Sequence, residues 1–247
     1  LIKMNKDLLL GLLLFSLALS LKFFPDFDLA LLKFFNNFLF SETFFTYFTE
    51  FGNGWFVVAL VIPLLSFISR ISKTMMHVPM QALILSGIYI GLIVQIMKEE
   101  IFPFTRPALE VIEGINYVEP IFRYATFPSG HAATIFGVIL IWLHLGFQKN
   151  RFPKHKLGGI INPISRLITF SVLGFASFVA LSRVIIAAHW FTDILASLGL
   201  VLILRSTLSF DKVYYHLMEG NIAKYFSYFL VFIAWIGIIF FDITEYF

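Results

Sequence analysis

Apolar residues in this chain come in blocks, not at the intervals of an amphipathic helix. Val78–Met97 runs for twenty residues without a formal charge, and Gly54–Ser69 for sixteen. A helix needs about 20 mostly apolar residues to cross the hydrocarbon core of a bilayer. The pattern therefore predicts seven spans, at roughly 8–24, 54–69, 78–97, 131–147, 167–183, 187–204 and 225–242. The first closes early, at Lys22 and Pro25. Residues 225–241 carry no charge, so the seventh reads as a true span and not a monotopic hairpin. Between the first two, 27–48 alternates polar patches with Phe34, Phe35, Phe38, Phe44, Phe45 and Phe48. That suits either an amphipathic helix lying on the bilayer or a loop folded back over the helix bundle. Without an internal repeat or a low-complexity linker, 1–247 reads as a single membrane-embedded domain, all-α and polytopic.

Composition agrees with the pattern. Of 247 residues, 59% are hydrophobic and only 13% charged, about half the charged fraction of an ordinary soluble domain. The net charge of +3 does not point to nucleic acid. No basic run with interleaved aromatics is present, and membrane proteins gain positive charge through their cytoplasmic loops. The absence of cysteine excludes disulfides and thiolate sites. The first methionine is Met4, and the three residues before it read as an addition to the natural start. The apolar stretch after it lacks a small-residue cleavage site, so it is expected to be a retained helix and not a signal peptide.

Charge also orients the spans. With the N-terminus in the cytoplasm, the inward segments hold Lys3, Lys6, Arg70, Lys73, Lys149, Arg151, Lys154, Lys156, Arg166, Arg205, Lys212 and Lys224. The outward ones hold Lys22, Lys33, Lys98, Arg106, Arg123 and Arg183. Twelve against six favours this orientation. Loops 98–130 and 182–188 then share the outer face, whereas His77, His144, His155 and His216 fall on the inner side and read as structural.

Three stretches on that outer face carry polar groups at span ends: "KEEIFPFTRP" from Lys98 to Pro107, "PSGH" from Pro128 to His131, and "SRVIIAAHWFTD" from Ser182 to Asp193. A phosphomonoester dianion needs several fixed donors, and arginine offers a planar fork matched to phosphate oxygens. Lys98, Arg106 and Arg183 supply three cations from three segments. Ser129 brings a hydroxyl, and Gly130 allows its own N–H to approach an oxygen closely. Both lie where a span begins, and a helix N-terminus is itself an anion site. His189 and Asp193 are four apart, hence on one helical face. A carboxylate there can hold one ring nitrogen and leave the other its lone pair. Glu99 and Glu100 diverge on a helix and read as solvated, as does Arg123.

Taken together, the stretches resemble the type 2 phosphatidic acid phosphatase (PAP2) superfamily of membrane lipid phosphatases. Its signature runs Lys-x6-Arg-Pro, Pro-Ser-Gly-His and Ser-Arg-x5-His-x3-Asp. The second and third parts match without deviation. In the first, seven residues and not six separate Lys98 from Arg106, and Pro103 could absorb the extra one as a kink. The resemblance covers 98–193 directly and implies a six-helix core, to which the C-terminal span adds one more. It implies that His189 is a nucleophile forming a phosphohistidine, with Asp193 as its orienting partner. His131 would be the general acid for the departing lipid alkoxide, and Lys98, Arg106, Ser129, Gly130 and Arg183 would bind phosphate. No metal or other cofactor is implied.

The expected substrate is a membrane lipid bearing a terminal phosphate or pyrophosphate, attacked at the outer face of a bacterial inner membrane. A phosphohistidine can also be intercepted by an alcohol, so transfer to another lipid or a sugar is a second reading. A non-catalytic transporter or lipid-binding protein is a third, weakened by the intact His131, His189, Asp193, Arg106 and Arg183. A vanadate-dependent oxidase fits least, since those relatives are soluble.

Overall fold

The computed structural model describes residues 6–72, 75–109, 112–118, 120–147, 163–208 and 220–241. Lys3, Met4, Lys73, Lys149, Arg151, Lys154, His155, Lys156, Lys212 and His216 lie outside the described residues. No strand occurs among those described; the chain is an all-α bundle.

Helices α1 (Lys6–Leu21) and α2 (Pro25–Asn36) are bent from one another by 100°. Pro25, lacking an N–H, ends the first helix and starts the second. Helix α3 (Glu42–Thr49) begins at the Ser41 cap, whose hydroxyl accepts from the Phe44 N–H at 3.2 Å. The segment 27–48 is thus neither one surface helix nor a loop. It is two helices folded over the ends of the bundle, burying Asp28, Leu32, Asn36, Phe45 and Thr49. Asn36 staples α2 down. Its amide donates to the carbonyls of Asn116 (2.9 Å) and Ile185 (2.8 Å), and its side-chain oxygen accepts from the Asn116 N–H.

Next come α4 (Gly54–Ile71), α5 (Met80–Ile101), α6 (Gly130–Gly146), α7 (Pro163–Ile185), α8 (Phe191–Leu208) and α9 (Asn221–Phe240). Helices α4, α5, α7 and α9 are long and apolar enough to cross a membrane, as is the bent pair α1–α2 if counted as one span. The apolar α6 is shorter, and α8 carries Asp193 and Arg205. Large apolar side chains such as Leu13, Phe67, Phe170 and Phe232 are exposed on the perimeter, the surface of an integral membrane protein.

At the centre stands α6, buried along nearly its whole length and packed by α5, α7 and α8. Its Trp142 donates to the Leu65 carbonyl at 2.8 Å, fixing α6 to α4. Helices α1 and α8 run in backbone contact: a Cβ on Gly11 would fall 2.7 Å from the Gly199 carbonyl oxygen, and one on Gly199 would lie 2.6 Å from the Phe15 nitrogen. Small residues permit this close approach of helices, as they do throughout membrane bundles. At one end of the pair Arg205 and Asp7 form an ion pair, at 2.5 Å.

Candidate active site

The end of α5, the start of α6, the end of α7 and the start of α8 meet at the other end of the bundle. There they border a cavity of about 490 Å³. Lys98, Arg106, Gly130, His131, Arg183 and His189, drawn from all three polar stretches, line one part of it. The rest is mostly apolar: Val57, Val58 and Ile62 of α4, Ile84, Ile88 and Val94 of α5, Val138 of α6 and Leu230 of α9.

The extra residue between Lys98 and Arg106 has a local explanation. Residues Met97–Ile101 form a π-turn, closed by the Phe102 N–H on the Met97 carbonyl at 2.8 Å. A π-turn is how a helix absorbs one inserted residue, and it keeps Lys98 on the cavity wall. Pro103 is not the device; the adjustment is made upstream of it. Glu99 and Glu100 are exposed, as is Arg123.

Arg106 is buried and held from two sides, its Nε donating to the Tyr124 carbonyl at 2.9 Å and its Nη1 to that of Ala188 at 3.3 Å. The second bond ties the first stretch to the third. Arg183 is fully buried and donates to the Thr49 hydroxyl at 3.3 Å, drawing α3 against the site. The carbonyl of Arg183 accepts the N–H groups of Ala188 (2.9 Å) and His189 (3.0 Å), turning the chain sharply between α7 and α8. Ala187 takes φ +58° in that turn, a left-handed conformation that alanine adopts only at a cost.

His189 lies in this turn, since α8 begins at Phe191 and not at 187. Its Nδ1 is 3.2 Å from Oδ2 of Asp193 and 3.1 Å from the Thr126 hydroxyl. Thr126 gives its proton to the same Asp193 oxygen, so its lone pairs face the ring. Both neighbours therefore call for a proton on Nδ1, leaving the lone pair on Nε2. Asp193 is fully buried, and its Oδ2 also accepts from the Trp190 N–H at 2.9 Å. Burial, and then the charges of Arg106, Arg183, Lys98 and His131, hold His189 well below the ordinary imidazole value. The neutral ring is the favoured form.

Ser129 and Gly130 divide the roles expected of them. Gly130 lines the cavity, whereas Ser129 lies behind the wall, fully buried, at the N-cap of α6. Its carbonyl accepts from Ser197 Oγ at 3.0 Å, tying α6 to α8. His131 follows on the cavity side, packed closely by Gly52: a Cβ there would fall 2.8 Å from the His131 Cβ.

Sequence reasoning missed Lys22, Asp28, Thr126 and Thr192. Lys22 Nζ lies 2.8 Å from Asp193 Oδ1 and 3.3 Å from Asp28 Oδ2. The Thr192 N–H donates to Asp28 Oδ1 at 3.1 Å, and the Thr192 hydroxyl donates to Oδ2. The available signal was modest: Lys22 and Asp28 are charges at the end of an apolar run on the same face as the site.

The PAP2 superfamily model matches residues 82–215. Among solved structures, that of Aquifex aeolicus LpxE superposes with a TM-score of 0.50 at 23% identity, over 73% of this chain and 93% of that one. None of the curated proteins matches. With more than half its length matched and all three signature stretches on one cavity, this chain belongs to the PAP2 superfamily, a membership that points to a phosphatase acting on lipid phosphates.

Proposed function

We propose that the protein is a metal-independent phosphatase that cleaves a membrane lipid phosphate or pyrophosphate through a phosphohistidine, at the extracytoplasmic face. The observation that carries this reading is the double character of the cavity. Three cations and two imidazoles lie at one end, and an apolar groove between α4, α5, α6 and α9 at the other. A headgroup phosphate suits the first and a hydrocarbon chain the second.

The reaction follows from the groups present. Lys98, Arg106, Arg183 and the Gly130 N–H hold the phosphoryl oxygens and offset their charge as the transition state spreads it. His189 Nε2 attacks phosphorus as the bond from phosphorus to the lipid oxygen breaks. His131 gives its proton to that oxygen, releasing the lipid alcohol or, from a pyrophosphate, the lipid monophosphate. Asp193, through Nδ1–H, stabilises the positive ring that results. Water then loses a proton to His131 and attacks phosphorus, the N–P bond breaks, and inorganic phosphate departs. The excess of positive charge on the opposite loops supports an outward-facing site.

Purified protein, with a chelator present, is expected to release phosphate from phosphatidate or a polyprenyl pyrophosphate in mixed micelles, and His189→Ala to abolish that release. Undiminished release by the variant would overturn the mechanism.

A further inference from the structure

We propose that Lys22 and Asp28, outside the signature stretches and outside the matched region 82–215, are positioning residues for the His189–Asp193 pair. The inference rests on the phosphohistidine reading above.

The first observation is geometric. Asp193 uses Oδ2 for His189, Thr126 and the Trp190 N–H, and the other oxygen, Oδ1, meets Lys22 Nζ at 2.8 Å. The carboxylate is thereby fixed in rotation, with Oδ2 turned toward the ring. Asp28 holds Lys22 in turn and is itself anchored on the N–H and hydroxyl of Thr192, at the first turn of α8. An anion is favoured there by the helix dipole.

The second observation is the charge sequence. Asp28, Lys22, Asp193 and His189 form a buried row of negative, positive, negative and, once the ring is phosphorylated, positive. Were Lys22 alone present, its charge would cancel that of Asp193 just when the imidazolium needs a counter-ion. Asp28 restores the net negative charge. Buried ion pairs hold together only when each member is matched in this way.

The third is that Lys22 lies beside aromatic rings in or next to all three signature stretches. Its ammonium lies 6.0 Å from the ring centre of Phe104, 5.8 Å from that of Phe127 and 5.6 Å from that of Trp190. Cations are attracted to aromatic faces at such distances. Phe104 is two residues before Arg106, Phe127 adjoins the "PSGH" stretch, and Trp190 follows the nucleophile. The tip of α1 thus gathers the loops that carry the chemistry.

Steady-state kinetics on a lipid phosphate, with a double-mutant cycle, tests this. Lys22→Met is expected to lower kcat about 10- to 100-fold, the loss typical of residues that orient a working ligand, with KM changed less than about threefold. Lys22→Arg should recover most of it. In an Asp193→Asn background Lys22→Met should cost almost nothing further, a coupling that general destabilisation would not produce. Should Lys22→Met fold poorly, Lys22→Met with Asp28→Asn keeps the local charge and carries the same kcat test. A wild-type kcat in Lys22→Met, or an equal loss with and without Asp193, would overturn the proposal. A wild type inert toward every lipid phosphate, or indifferent to His189→Ala, would overturn the phosphatase reading and this inference with it.

Discussion

The main chains of Gly11 and Gly199 pack so closely that a Cβ on the first would stand 2.7 Å from the carbonyl oxygen of the second. Neither atom is the end of a flexible side chain, so one helix must move. Gly11→Ala is expected to destabilise the protein by about 1–3 kcal/mol, the usual cost of overpacking. Because α1 leads directly into Lys22, eleven residues further along, activity should fall with stability. A thermal-shift assay in detergent beside a phosphate-release assay checks both.

Protonation of His189 sets the acidic limb of the rate profile. Burial and the surrounding cations lower its affinity for a proton, so the neutral nucleophile persists below the ordinary imidazole range. The limb of kcat/KM is expected well under pH 6.5, with activity lost as pH falls through the lowered value. Lys98 is one of those cations. Lys98→Gln should therefore move the limb upward, toward 6.5, beside any weakening of phosphate binding. Linkage gives the matching effect on stability. Below about pH 6.5 the unfolded chain binds the proton that the folded one refuses, so stability declines on acidification through that window.

His131 should matter in proportion to how poor the leaving group is. A lipid alkoxide must be protonated as it departs, whereas p-nitrophenolate need not be. His131→Ala is expected to cost about 10²- to 10⁴-fold on a lipid phosphate and far less on p-nitrophenyl phosphate. Equal losses on the two, measured as kcat, would remove His131 from the role of acid.

Chain-length preference should respond to Gly91. It lines the groove, and a Cβ there meets nothing within 4 Å, so a leucine fits the fold but fills the space. Gly91→Leu is expected to raise KM about tenfold or more for long-chain substrates while sparing those with short chains. A series of phosphatidates of increasing acyl length gives the comparison.

The three signature stretches could be read from sequence because each is contiguous and each ends or begins an apolar block. His189 and Asp193, four residues apart, declare their shared face. Other features were hidden for physical reasons. Lys22 reads as the charge that closes a span, and only the 100° bend after it, with the tight α1–α8 contact, brings it to Asp193. The π-turn at Met97–Ile101 looks like a misfit of spacing, because an inserted residue does not say where the helix will absorb it. Ser129 carries the right hydroxyl for a phosphate, yet the start of α6 turns it inward, and Gly130 takes the wall. The double helix over 25–49 escaped the hydropathy pattern because its burial is against protein, through Asn36, Asp28 and Thr49, as much as against lipid.

The Gly11–Gly199 contact also dictates an order of assembly. The partners are separated by most of the chain, so α1 must wait in the bilayer until α8 has been made before the two can close. Contacts between segments so distant in sequence are slow to form, and chains are synthesised from the N-terminus. His131 and Arg106 are therefore laid down early, but the buried charge row that steadies His189 comes into being only when the first helix docks on one of the last. A chain made only as far as α6 holds Lys98, Arg106 and Gly130, but not yet His189 or Asp193.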